Sequence, residues 1–570
     1  MRRFTVRSPA AGAVWLCLFD GDAETRVPMT RSGDDWAADA PVEPGATYGF
    51  RSDLAPAKLL VDPRATALDR PFVYDPALSE PGADTAALVP RAIVADPLPP
   101  LDLDPVFAPG GLIYEVNVRA FSLRHPDVPP AQRGTIAALA YPSIVRHLKA
   151  IGVTAVELMP VTAWIDERHL PPLALANAWG YNPVVPMALD PRLAPGGIAE
   201  LRETVLALRS EGIGVLLDLV LNHSGESDLA GPTLSFRGLD PAAYAHEPDG
   251  RLVNVAGTGN TFDFANPAVR ALALDTLRHF VTQAGVDGFR FDLAPVLARG
   301  PGFDSAAPFL RAIAEDSLLS RRVMIAEPWD CAGYFLGAFP RNWLEWNDRF
   351  RDDVRRFWRG EGGAGALATR LAGSTDVFGP DRTRSVSFVA AHDGFTLHDL
   401  TAYAERHNHA NGEDNRDGHH GEISWNAGAE GRADPADARA LLATLYATRG
   451  TIMLTAGDEF GRTQGGNNNA YAQDNATVWL DWDNRDRALE AYVTDLATRR
   501  VPALADPMIR HDARWHRLDG APMQDGDWAA ADGFEMRLPE VTVRIDRALR
   551  TVEITPMSGM ERVKGIEPSS

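Results

Sequence analysis

The chain has 570 residues, 45% of them hydrophobic and 23% charged, which supplies apolar material for one large domain with smaller flanking ones. Its formal net charge of −21 argues against nucleic acid or an anionic membrane as a partner, and Cys17 and Cys331 alone provide neither a disulfide framework nor a cysteine-rich zinc site. No run spans a bilayer, since the most apolar stretch, Gly214 to Leu221, is short and carries Asp218.

From the N-terminus, the apolar run Ala10 to Phe19 behind Arg2 and Arg3 imitates a signal peptide, but Arg7 and Pro9 interrupt it. Phe19-Asp20-Gly21-Asp22 reads as a turn between strands, so a mature cytoplasmic start is expected. Residues 1–100 show short alternating runs such as Val14-Trp15-Leu16-Cys17-Leu18 and turn clusters such as Ser32-Gly33-Asp34-Asp35, the pattern of a small β-sandwich. A connector rich in proline, from Asp96 to Pro109, marks a domain boundary.

Beyond it, short apolar runs alternate with helical segments, which predicts a parallel sheet. Strands are expected at Leu112 to Val116, Thr154 to Leu158, Gly214 to Asp218, Asp287 to Phe291, Arg322 to Ala326, near Trp343 to Trp346, at Ser387 to Val389 and at Ile452 to Leu454, with helices such as Ile198 to Glu211 and Val269 to Ala284 between them. Eight strands over residues 110–485 predict an α/β fold, a (β/α)8 TIM barrel. Residues 490–570 read as a small, abbreviated C-terminal β-domain with strands between Gly533 and Thr555, and Met557 to Ser570 carries no pattern.

In such a barrel the chemistry sits where strands run out at their C-terminal ends. Four polar closures stand there: Asp218 with Asn222-His223, Arg290-Phe291-Asp292, Glu327-Pro328-Trp329, and His392-Asp393. Singly, each reads as a helix cap or a structural ion pair. Together they suit glycosyl transfer, in which an oxocarbenium-like transition state is met by one carboxylate below the ring and a protonated acid beside the leaving oxygen, about 5 to 5.5 Å apart in the retaining geometry. An arginine two residues before the nucleophile shares its strand face and keeps it ionised. The acid needs partial burial and a neighbour such as Trp329 to hold its proton.

These four segments resemble the motifs of the α-amylase superfamily, glycoside hydrolase family 13. The resemblance implies Asp292 as nucleophile, Glu327 as acid/base and Asp393 as a third carboxylate gripping sugar hydroxyls, with His223, Arg290 and His392 lining the subsite and Asp218 bracing it. Trp179-Gly180-Tyr181-Asn182-Pro183, residues 231–238, Gly257-Thr258-Gly259-Asn260-Thr261, residues 411–418, residues 465–471 and Val478-Trp479-Leu480-Asp481-Trp482 are similar to bacterial glycogen-debranching enzymes of the isoamylase type, in which Tyr181 would be the stacking platform. Residues 1–100 resemble a carbohydrate-binding module of family 48. Asn117 departs from the pattern, standing where the family usually has histidine.

The resemblance implies a retaining hydrolase of α-1,6 branch linkages in glycogen or limit dextrin, with no organic cofactor. Other α-glucan enzymes (branching, trehalose-releasing or α-1,4-hydrolysing) and a non-catalytic glucan-binding protein remain open at this point. Among the 13 tryptophans, Trp164, Trp179, Trp329, Trp343, Trp346 and Trp425 are candidates for sugar stacking, with core packing the commoner use. His407-Asn408-His409 and His419-His420 lack ligand spacing and read as a solvated loop, so no metal is expected.

Overall fold

A computed structural model describes residues 1–509 and 511–557. The C-terminal residues without sequence pattern lie, apart from Met557, outside the described ones.

Eight parallel strands close into a barrel: Leu112–Val116, Val153–Leu158, Gly214–Leu219, Gly288–Phe291, Val323–Ala326, Leu344–Asn347, Ser385–Ser387 and Thr451–Thr455, each paired with its sequence neighbours and the eighth with the first. All their residues but Thr154 in the second and Val323 at the start of the fifth are buried, because helices cover the outer face and side chains fill the inner one. The interior packs Ile113, Ala155, Leu216, Ile325, Leu344, Val386 and Met453 over Phe107 from the connector. Asp287 fixes that plug by accepting the backbone N–H groups of Val106 and Phe107. The seventh strand lies two residues before its expected place. The apolar Phe388-Val389-Ala390-Ala391 that follows is buried as loop, so burial without alternation misplaces the boundary.

The helices begin and end where local chemistry dictates. Pro267–Ala284 starts with Asn266 accepting the Ala268 N–H and Pro267 at the first position, and ends at Gly285 with φ +79°. Gly197–Ser210 is amphipathic, burying Leu201, Thr204, Val205 and Leu208.

Two sheets precede the barrel, one of three strands (Arg2–Arg7, Asp35–Ala40, Thr30–Ser32) and one of four (Ala23–Pro28, Val14–Asp20, Thr47–Ser52, Ala92–Ile93). Their shared core takes in Ala163, Val184, Val185, Leu234 and Leu239 from the barrel's long loops. After the barrel, Arg514–His516, Gly533–Leu538, Val541–Asp546 and Thr551–Pro556 form an antiparallel meander whose apolar face joins the barrel's outer core.

Candidate active site

Arg290 organises the mouth. It points inward from the fourth strand and is completely buried, with its guanidinium 4.3 Å over the Trp346 ring. One nitrogen, Nη1, donates to both oxygens of Asp218 at 2.9 Å and lies 3.2 Å from Asp292 Oδ1; the other, Nη2, lies 3.1 Å from Glu327 Oε2. A single cation thus joins carboxylates from the ends of three neighbouring strands.

Asp292 follows directly on the fourth strand and receives a second fixed contact from Asn222 Nδ2 at 2.8 Å. Glu327 follows on the fifth strand and accepts the Leu293 N–H at 2.7 Å. Leu293 sits at φ +41°, a conformation that costs a non-glycine residue about 1–3 kcal/mol and here turns its N–H onto that carboxyl. Burial pushes the Glu327 carboxyl up to about 8, with Arg290 opposing and Asp292 adding to the rise. Trp329, two residues on, stacks at 6.5 Å on Tyr334 across a small hairpin, and burial is the largest cause of the Glu327 rise.

Asp393 lies close enough to add to the same rise. Burial would raise its own carboxyl, but the hydrogen bond from His419 Nε2 at 2.9 Å, with His392 and Arg351 nearby, holds it well below the usual range. His392 Nδ1 faces Glu115 Oε1 at 2.7 Å, and although burial alone would lower this imidazole, Glu115 lifts it to about 9. Tyr181 stacks on His392 with ring centroids 4.8 Å apart and donates its hydroxyl to Asp218 at 2.6 Å. Gly180 makes this possible: at φ +87° a Cβ there would meet the Pro160 carbonyl oxygen at 2.8 Å. His223 Nε2 faces the Tyr181 carbonyl at 2.9 Å, and Nδ1 faces Asn222.

All eight residues expected from the sequence therefore form one linked cluster. Reasoning from strand ends missed Glu115 and Glu157, which each lie one residue from the end of the first and second strands and were available to the same rule. Asn222 was passed over inside a motif. His419, expected in a solvated loop, is indeed exposed yet bonds Asp393, and only the loop's path reveals that.

Asn117 caps the helix Val118–Ser122 and donates to the Ala178 carbonyl, a structural role at this position. Trp164, Trp343 and Trp346 are buried, which removes them as sugar platforms, while Trp179, Trp329 and Trp425 stay partly exposed. Among the described residues, no group of three His, Cys, Asp or Glu side chains is placed to hold a metal. A cavity of about 400 Å³ lies away from this mouth, between the N-terminal sheets and the barrel beside Arg7 and Asp240.

A closed parallel barrel whose mouth sets two carboxylates on either side of one arginine, one of them pushed up to about 8, has the arrangement of a glycoside hydrolase. Relatives agree. A glycogen debranching enzyme of Yersinia enterocolitica is 43% identical over 92% of this chain and 86% of its own, and one of Serratia proteamaculans is 44% identical over 93% and 85%. The chain belongs to the glycogen debranching enzyme family. No protein-family model matches it. Among solved structures, the pullulanase of Anoxybacillus sp. LM18-11 crystallised with maltotetraose superposes with a TM-score of 0.70 at 22% identity over 96% of this chain and 80% of its own. Apo pullulanase of Paenibacillus barengoltzii superposes with a TM-score of 0.71 at 22% identity, covering 96% and 86%. At this identity the likeness is one of fold.

Proposed function

We propose that this protein hydrolyses the α-1,6 branch linkages of glycogen or a related branched glucan with retention of configuration. The observation that carries the reading is the pair of carboxylates joined by Arg290, Glu327 beside a backbone donor in a buried niche and Asp292 held by Arg290 and Asn222. The names of its relatives supply the polymer and the cleavage of its branches.

In the first step an Asp292 oxygen attacks the anomeric carbon while Glu327 gives its proton to the departing glycosidic oxygen, leaving a glucosyl ester on Asp292. In the second, Glu327 takes a proton from water, whose oxygen displaces Asp292 and regenerates both groups. Arg290 stabilises the ionised nucleophile, and its contact with Glu327 favours the carboxylate left after proton transfer. Tyr181 on His392 would be the platform for the cleaved sugar, and Asp393 would accept its hydroxyls. Asp218 braces Arg290 from below.

The sandwich of residues 1–100 is proposed to dock the polymer against the catalytic barrel of residues 110–485, with the sheet of residues 490–570 closing its outer core. No helix of the described residues is long and apolar enough to cross a membrane, and both cysteines are unpaired. The glycogen named for its relatives supports a cytoplasmic enzyme. Incubation with phosphorylase-trimmed glycogen and with linear maltooligosaccharide tests the reading: release of short linear chains from the first and none from the second is expected. Cleavage of the linear chain alone would replace debranching with α-1,4 hydrolysis.

A further inference from the structure

Beneath the described cluster, the barrel interior carries a second tier of charge. Strand pairing sets Glu115 beside Glu157, Glu157 beside Leu216, and Asp218 beside Arg290. Since alternate residues of a strand share a face, Glu157 points inward with Leu216 and Asp218. Glu115, Glu157, Asp218 and Arg290 are all at most 1% exposed.

Three of these four are accounted for. Glu115 bonds His392 and Thr455, Asp218 bonds Tyr181 and Arg290, and Arg290 reaches Asp218, Asp292 and Glu327. Glu157 has no such company: neither carboxyl oxygen has a hydrogen-bond partner among the described residues. In the same interior Arg290 Nε and the Trp346 indole N–H are also unpartnered. Buried acceptors on Glu157 facing buried donors on Arg290 and Trp346 are the setting in which natural proteins hold ordered water.

The charge balance fixes the state of Glu157. The charged groups facing it are Glu115 on one neighbouring strand, Asp218 on the other and Arg290 beyond. Arg290 is already shared by three carboxylates, so an ionised Glu157 would be a buried anion between two acids with no cation of its own. We propose that Glu157 is a positioning residue of the reaction: a neutral carboxylic acid on the barrel floor, joined through buried water to the Arg290 guanidinium and steadying it beneath Asp292 and Glu327. Burial and the neighbouring carboxylates, which push this carboxyl well up, act in the same direction. The inference rests on the proposed roles of Asp292 and Glu327, because what Glu157 steadies is the cation between them.

Infrared difference spectroscopy of the full chain and kinetics on limit dextrin test it together. Subtracting Glu157→Gln from wild type at pH 7, without substrate, is expected to show the C=O stretch of a protonated carboxyl. Glu157→Leu fills the site but removes the polar link, and its kcat is expected to fall roughly 10- to 100-fold, the loss that a small misplacement of reacting groups produces. Its KM should stay within about twofold and its melting temperature near wild type. Glu157→Gln, which keeps a donor and an acceptor, should recover most of that kcat. Should the leucine variant not fold, Glu157→Asp, withdrawn by one methylene, gives the same split of kcat against KM. Absence of the carboxyl band, or wild-type kcat in Glu157→Leu, overturns the proposal. So does a loss that glutamine does not recover and that follows the melting temperature. A wild type that hydrolyses no α-glucan would instead remove the functional reading and leave the spectroscopic result standing by itself.

Discussion

At the scale of single residues, the account turns on who holds a proton. Glu327 must be protonated to act as acid, and its folded value of about 8 lies above the ordinary carboxyl range. The working form is therefore present below that value, and kcat/KM should fall as pH rises through about 8. Replacing Glu327 by Gln should cost about 10²- to 10⁴-fold on glucans and flatten that alkaline limb, which a pH–rate series measures. Asp393 has the opposite dependence, since His419, His392 and Arg351 keep it ionised far into acid. His419→Ala should return this carboxyl toward the ordinary range and move the acidic limb of kcat/KM to higher pH. An unmoved acidic limb would separate His419 from the chemistry. Asp292, Glu327 and Arg290 could be read from the chain because each closes or directly follows an apolar strand. His419 could not, because its bond to Asp393 depends on how a loop 26 residues downstream folds back. Glu157 escaped for another reason: within Val153–Leu158 it looks like one polar residue in a strand, and only barrel closure shows it facing Arg290.

At the scale of elements, strand and helix alternation was readable because parallel strands covered on both faces become continuous apolar runs, and seven of the eight lie within a residue of their expected limits. The seventh strays because the buried loop after it has the same composition. Gly288, at the start of the fourth strand, shows how little room closure leaves: a Cβ there would meet the Val323 carbonyl oxygen at 2.0 Å, and that atom is backbone of the next strand. Gly288→Ala should therefore destabilise the barrel by about 3 kcal/mol or more, read as a lowered urea midpoint, and carry Arg290 out of place with it. On the outer wall, His147 in the helix Pro142–Ala150 bonds Glu459 at 2.7 Å and Glu490 at 3.2 Å, tying two later elements to it. Burial alone would lower this imidazole, but the two glutamates raise it to about 9. Its contribution to stability, of about 3 kcal/mol, is then complete below about 6.5 and lost as pH rises through about 9. His147→Gln should flatten the dependence of melting temperature on pH across that window.

At the scale of the whole molecule, the N-terminal sheets are not a separate bead. Ser8 Oγ donates to the Leu239 carbonyl at 2.6 Å, the Val61 N–H to Leu234 at 2.8 Å, and Arg7 pairs with Asp240 at 2.9 Å, while Leu234 and Leu239 are fully buried in the sandwich's own core. A chain beginning at residue 101 should therefore lose stability in the barrel itself and melt at lower temperature. An unchanged melting temperature would make the sandwich a dispensable docking module. The central claim, that Asp292 attacks while Glu327 carries the proton, is tested most directly by trapping. In Glu327→Gln, an α-maltosyl fluoride needs no acid to lose its fluoride, yet the second step lacks its base, so the ester should accumulate. Mass spectrometry of the digested protein is predicted to find a maltosyl adduct on the peptide containing Asp292, absent when Asp292 is also changed to Asn. An adduct on any other carboxylate would contradict the account.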